Sequence, residues 1–416
     1  MLIKFIDLFS GIGGIRKGFE LACKEKNFTC KCVLTSEIKD SAIKIFRQNH
    51  PTEKIFGDIK EISAKNIPNF DILLAGFPCQ SFSTAGKRLG FEDTRGILFF
   101  EIERILSAKN PQGFILENVE GLVTHDGGKT FKIILESLKN LGYKVSWKIL
   151  NAKNFGVPQD RKRIYIVGTK KNFVDLENFP VQKKILAEVL EKNLPTSDSD
   201  FVKLLLKNFS VKDLQGKSIK DKRGGKNNIH SWDIECKGSV TEKEKNLLNK
   251  ILTERRKKKW ATEFGIDWMD GMPLTFEQIK TFFDDAKLEK ILENLVVKGY
   301  LKKEFPKKKV GNRRIEDKNL PQGYNIVAGK LSFEINKILN PAEIAPTLVA
   351  MDMQKIFVVD GEGLRPLSMR EGLRLFGYPE DFKFEISAKE GYDLLGNTVA
   401  VPVIKKISER LLESLR

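Results

Sequence analysis

The sequence predicts an α/β protein: a mostly parallel sheet with helices on both faces, joined to a second, smaller, basic domain of irregular structure. Three observations lead there. Short apolar runs alternate with helical patterns through residues 1–170. The run at 72–75 is apolar at every position, as expected of a strand covered on both faces. From about Thr169 the strand periodicity fades while lysine and asparagine accumulate, and order returns only near Ala345.

The elements follow in order. Residues 3–8 form a short apolar run, then come a glycine turn and a helical pattern over 15–24. A second strand is expected at 32–36 and a helix around 41–48. After the strand at 72–75 come a helix over 96–108, a strand at 113–116 and an amphipathic helix at 129–141. Strands are then expected at 143–150 and 164–167. Beyond the basic stretch, 356–359 reads as a strand and 368–375 as a helix, and Pro402 suits the first turn of a last helix.

The chain has 416 residues, ample for a large core, and its 41% hydrophobic content excludes a mostly disordered protein. Lysine and arginine total 72 against 55 acidic residues, a formal net charge of +17. That surplus points to a polyanionic partner, nucleic acid before anionic membrane. No stretch approaches the roughly 18 apolar residues a membrane span needs, so no membrane partner is expected. The opening MLIKFIDLF reads as a strand of the mature protein, not as a signal peptide. Five scattered cysteines, an odd number, argue against a disulfide framework and for a reducing cytoplasm. Cys30 and Cys32 share one face of a strand, but no second ligand pair follows, so no metal is expected.

Several positions carry chemistry. Phe9-Ser10-Gly11-Ile12-Gly13-Gly14 follows a strand and opens a helix, where backbone N–H groups and the helix N-terminus attract negative charge. Glu37, at the end of the second strand, can accept both ribose hydroxyls, and Asp58 could meet an adenine amino group. Together they suggest an adenosine-containing cofactor. The glycine spacing departs from G-x-G-x-x-G, which weakens a nicotinamide-dinucleotide reading, and a plain tight turn is the bland alternative. Cys79 stands in Gly76-Phe77-Pro78-Cys79-Gln80 after the strand at 72–75, well placed as a nucleophile unless it is a buried structural cysteine. Its only possible imidazole partners are His50, His125 and His230, none near in sequence, which disfavours a Cys–His hydrolase. Glu117 closes the next strand and puts a carboxyl on the same edge, as an acid or as an ordinary surface group. Arg161 and Arg163 point to one side of a strand-like segment, suited to phosphate or a polarised carbonyl, or to a solvated edge.

In this order the segments resemble the motifs of DNA (cytosine-5) methyltransferases of the bacterial restriction–modification type. The matching pieces are Asp7 to Gly14, Pro78-Cys79-Gln80, Glu117-Asn118-Val119, Gln159 to Arg163, RPLSMREGLRLFGYP from Arg365, and Gly396-Asn397-Thr398-Val399. The resemblance implies an S-adenosylmethionine-dependent methyltransferase (Rossmann-like) sheet domain over 1–175, completed by 385–416. It implies a target-recognition domain over 176–384. Two helices at 275–283 and 287–298, followed by a basic stretch to Arg314, suggest a winged-helix-like insert near 274–314.

The implied chemistry is transfer of a methyl group from S-adenosylmethionine to carbon 5 of a flipped-out cytosine in duplex DNA, through a covalent Cys79 adduct. Glu117 would bind or protonate ring nitrogen 3, Arg163 would stabilise the base carbonyl and Arg161 would help position the site. Phe9, Gly11, Gly13 and Gly14 would line the cofactor loop. Glu37 would take the ribose, Ile38 would pack on the adenine, and Asp58 and Ile59 would hold its edge. Pro78, Leu98, Asn397 and Thr398 would complete the pocket, ordinary core being the alternative for Leu98 and both isoleucines. The stretch 81–95 resembles a mobile catalytic loop. A cognate restriction endonuclease would be the functional partner. Two rivals stay open: a transfer-RNA methyltransferase of the same fold, and a catalytically silent DNA-binding protein. Trp232, Trp260 and Trp268 read as core residues before base-stacking ones.

Overall fold

The computed structural model describes residues 2–78, 97–267, 270–311, 313–328 and 333–415. They form two units. One comprises Met1–Glu191, Asn340–Gln354 and Leu367–Arg416; the other comprises Lys192–Leu339 and Lys355–Pro366.

The first unit opens with β1 (Leu2–Leu8), α1 (Gly14–Glu25), β2 (Thr29–Ser36), α2 (Asp40–Asn49), the short β3 (Ile55–Phe56) and β4 (Ile72–Gly76). It continues with α3 (Ile97–Lys109), β5 (Gly113–Val119), α4 (Lys129–Asn140), β6 (Lys144–Asn151) and β7 (Lys162–Thr169). The seven strands make one sheet in the order β3-β2-β1-β4-β5-β7-β6. β1 to β5 pair in parallel and β7 runs antiparallel to both its neighbours.

The second unit contains α5 (Asp200–Asn208), α6 (Val211–Leu214), β8 (Ser218–Ile219), β9 (Asn228–Ile229), α7 (Glu242–Glu254) and α8 (Lys259–Glu263). Next come α9 (Phe276–Lys280), α10 (Leu288–Val297), β10 (Leu301–Glu304), β11 (Lys307–Val310), β12 (Arg313–Glu316) and β13 (Gly323–Ile326). A five-stranded sheet combines β8 and β9 with β14 (Lys337–Ile338), β15 (Ile356–Asp360) and β16 (Gly363–Pro366). The expectation of an irregular region is therefore corrected. α7 begins with a capping box, Thr241 with Glu244, and spaces Leu247, Leu248, Ile251 and Leu252 along one buried face. Trp232 and Trp260 lie in the core around that helix, whereas Trp268 lies outside the described residues.

The chain then returns to the first unit as α11 (Met369–Leu375), α12 (Ala388–Asn397) and α13 (Val401–Ser414), with Pro402 in the first turn of the last. The first unit thus reaches Glu191 and takes in Asn340–Gln354 and the chain from Leu367 onward, where bounds at 175 and 385 were expected. Buried bonds explain why. The Leu348 carbonyl accepts from Arg161 and the Leu375 carbonyl from Gln159, so both returning segments are tied to the start of β7.

Strand alternation sorts the core into two layers. Phe5, Leu74, Ile115 and Val167 face Phe19 of α1 and Ile404 of α13. Ile6, Leu73, Leu116 and Ile166 face Ile105 of α3 and Ile134 of α4. α1 and α13 lie so close that a side chain at Gly18 would strike Ile404. Among the described residues no helix is long and apolar enough to cross a membrane.

Candidate active site

The site is built at the ends of β1, β2, β4, β5 and β7. β1 turns sharply into α1: Phe9 and Gly11 both have φ of 54° and Gly13 has φ of 80°. The left-handed backbone suits the two glycines; at Phe9 it is unusual, and such outliers gather at functional sites. Gly14 is needed for another reason. A methyl group there would lie 2.6 Å from the Tyr378 hydroxyl and 2.8 Å from Thr398 Oγ1, so its bareness lets the returning chain close over the turn. Tyr378 and Thr398 share a buried hydrogen bond of 2.6 Å.

Glu37 follows β2. Its carboxylate accepts from the Gly11 N–H at 2.7 Å, the Ile38 N–H at 2.8 Å and the Lys39 N–H at 2.9 Å. The acid is thus fixed beside the glycine turn. Ile38, next to that carboxylate, is an apolar side chain left 70% exposed. Asp58 caps a short helical turn by accepting from the Lys60 N–H at 3.0 Å. Ile59 is packed in the core with its side chain turned inward. Pro78 and Asn397 are exposed, Leu98 is half-buried and Thr398 is buried. Glycine turn, fixed carboxylate and exposed isoleucine lie together, a set of groups that fits S-adenosylmethionine.

Asp7 lies behind the turn, fully buried, and neither carboxyl oxygen has a hydrogen-bond partner among the described residues. Lost hydration pushes its pKa up to about 8, against the pull of Arg16. The unfolded chain would release that proton near the ordinary aspartate value of 3.8. The native state therefore holds a proton that the unfolded state has lost across this interval. The resulting stability is fully present below the lower value and disappears as pH rises through the upper one. Thermal melting of the ligand-free protein should show a midpoint that falls between pH 5 and 8, and Asp7→Asn should flatten that fall. An unaltered slope in the variant would refute the assignment.

The second half of the site lies on β4, β5 and β7. Register places Gly76 beside Glu117 and Val119 beside Arg163. Glu117 is 8% exposed, and its oxygen lies 3.2 Å from Arg163 Nε. Burial raises its pKa, while Arg163 and then Arg161 draw it down. Asn118 donates to the Phe77 carbonyl at 3.1 Å and so pins the chain as it leaves β4 toward Cys79. Cys79 itself, with the stretch 81–95, lies outside the described residues.

The two arginines divide their work. Arg163 faces Glu117. Arg161 is buried, and its guanidinium donates to the carbonyls of Leu348 at 2.9 Å, Thr398 at 2.6 Å and Gly396 at 3.3 Å. It also stacks on Phe376, 5.1 Å from the ring centre. Gln159 does similar work, donating to the Leu375 carbonyl and accepting from the Leu348 N–H. Arg161 is therefore a positioning residue. Sequence reasoning passed over Asp7, Asn118, Gln159 and Tyr378 as individual residues. The signal for them was present, since each is a polar group inside a quoted motif and next to an apolar run.

The fold is that of S-adenosylmethionine-dependent methyltransferases. A family model described as C-5 cytosine-specific DNA methylase matches residues 3–413, and the chain belongs to that family. It is 64% identical over 420 residues to the Type II methyltransferase M.NlaIV of Neisseria lactamica, covering 99% of each chain. It is 63% identical over 422 residues to the Type II methyltransferase M.NgoBV of Neisseria gonorrhoeae, again covering 99% of each. The solved S. pombe Dnmt2 methyltransferase shares the fold, with a TM-score of 0.56 at 19% identity over 100% of this chain and 99% of that one. The reaction is methylation of cytosine at carbon 5 in DNA, with the methyl donor that family and fold imply.

Proposed function

We propose that the chain methylates a flipped-out cytosine in a specific duplex DNA site through a covalent bond from Cys79. In this reading it is the Type II modification enzyme of the cytoplasm that shields host DNA from a cognate restriction endonuclease. The first unit carries the chemistry and the second reads the target. S-adenosylmethionine, when bound, supplies an electrophilic methyl group to carbon 5 of the ring. The glycine turn, Glu37 and Ile38 hold it, with Asp58, the backbone at Ile59, Pro78, Leu98, Asn397 and Thr398 around the pocket.

The observation that carries the reading is the buried carboxyl of Glu117, its pKa raised by burial, held beside Arg163 at the edge where β4 leads toward Cys79. Carbon 5 of cytosine is a poor nucleophile. The Cys79 thiolate forms a bond to carbon 6 and drives an electron pair toward carbon 5. Glu117 binds or protonates ring nitrogen 3, so the added charge has a place to rest, and Arg163 steadies the base carbonyl. Once carbon 5 is methylated, its proton leaves, the sulfur–carbon bond breaks and the thiolate departs.

The test is methyl incorporation from labelled donor into duplex DNA and into total transfer RNA, paired with a duplex carrying 5-fluorocytosine. Label in DNA and a covalent adduct that survives denaturation are expected. Label confined to transfer RNA, or turnover on a confirmed DNA site without any adduct, would overturn the reading.

A further inference from the structure

The second unit contains a module whose chain order is informative. α7 is followed by the short α8, an extended segment at Leu274, then α9, α10, β10, the β11–β12 hairpin and β13. Leu274 and Tyr324 exchange both backbone hydrogen bonds, at 2.9 and 2.7 Å. β13 in turn pairs antiparallel with β10. The small sheet thus has the order Leu274, β13, β10, with three helices against it. Leu247 and Leu248 of α7, Ile279 of α9, Leu292 of α10, Leu301 of β10 and Ile326 of β13 share one core. Glu244 in the first turn of α7 accepts from Asn294 and Lys298, clamping that helix to the end of α10. Apart from the short α8, the order helix, strand, helix, helix, strand, hairpin, strand is the layout of a winged helix, with β11–β12 as its wing.

We propose that this wing grips the phosphate backbone of duplex DNA. The inference rests on the DNA-methylating reading above. The hairpin Lys307–Glu316 carries Lys307, Lys308, Lys309, Arg313 and Arg314 against the single acid Glu316. None of its residues belongs to the module's core, and every residue of β12 is exposed. A lone two-stranded ribbon gains little from its own pairing.

The register places three basic side chains and one acid on one face of the ribbon: Lys309 sits directly opposite Arg314, and two residues along Lys307 sits opposite Glu316. A net positive face of this kind suits a polyanion lying across it. Val310, 51% exposed, and Ile315, 47% exposed, occupy the other face, so the ribbon is not simply a solvated charge run. α10 contributes little to the charge: its Glu289 and Glu293 offset its Lys290.

The test uses the full chain carrying Lys307→Gln, Lys309→Gln and Arg314→Gln together. Duplex binding is titrated at several salt concentrations. Three phosphate contacts predict a plot of log affinity against log salt that is shallower by about 2 to 3, and affinity at moderate salt that falls by about tenfold or more. The charge-preserving set Lys307→Arg, Lys309→Arg and Arg314→Lys should keep the wild-type slope. In wild-type protein, bound duplex should shield Lys307 and Lys309 from an amine-acetylating reagent, a readout that needs no variant. An unchanged slope, or equal acetylation with and without DNA, overturns the wing assignment even if the wild-type protein methylates DNA. Failure of the wild-type protein to methylate any duplex would instead sink the underlying reading.

Discussion

Cys79→Ser should lower methyl transfer to a duplex substrate by roughly a thousandfold or more, because it removes the attacking group and leaves its setting intact. A cysteine holds a few per cent of thiolate at neutral pH and is strongly nucleophilic; a serine hydroxyl holds essentially no alkoxide. The groups that prepare the base would remain. Glu117 would still be buried against Arg163, and Asn118 would still pin the chain at Phe77. The variant should therefore bind donor and duplex about as well as the parent and yet form no adduct with 5-fluorocytosine. Initial rates with labelled donor, read beside calorimetric donor binding, separate the two. A serine variant that turns over within tenfold of the parent would end the covalent proposal.

Arg161→Ala is expected to act through folding. The change leaves the carbonyls of Leu348, Gly396 and Thr398 without their donor inside the protein and opens a void over Phe376. Each stranded buried carbonyl costs about 1–3 kcal/mol, partly recovered by relaxation and entering water. A net loss of about 3–5 kcal/mol is expected in urea unfolding, a large share of the stability of an ordinary domain. Arg161→Lys should restore only part of it, because one ammonium cannot reach three diverging carbonyls as a planar guanidinium does. If the alanine variant unfolds at the parent's midpoint but fails to bind the base, Arg161 is a contact residue and the positioning role is wrong.

The first unit was largely legible because its strands are covered on both faces. Ile72, Leu73, Leu74 and Ala75 announce themselves by composition, and the glycine turn marks where β1 ends. α12 was not foreseen. It contains Gly391 and Gly396, poor helix formers that read as a break. Both are there for close packing: a side chain at Gly391 would meet Met369, and one at Gly396 would collide with the backbone of Ala350. α7 was hidden by its lysines and glutamates, although its buried leucines and isoleucine keep helical spacing. The β11–β12 hairpin was legible as a basic ribbon after two helices, from charge and element order; its strands do not show in hydrophobic alternation, because basic residues occupy both faces beside Val310 and Ile315. Within the site, the glycine turn, Glu37 and Glu117 were readable from residue type at strand ends. The split between Arg161 and Arg163 was not, because it depends on carbonyls 187 to 237 residues away in the chain.

The packing of α13 against α1 has a bearing on biosynthesis. Phe19 and its neighbours emerge from the ribosome early, while Ile404 and Ile407, which cover them, come nearly four hundred residues later. At roughly 5–20 residues per second, the nascent sheet waits about twenty seconds to more than a minute with one oily flank bare. Until that delay ends, the polypeptide is vulnerable to sticking and to proteases, and no partial product can mark the genome.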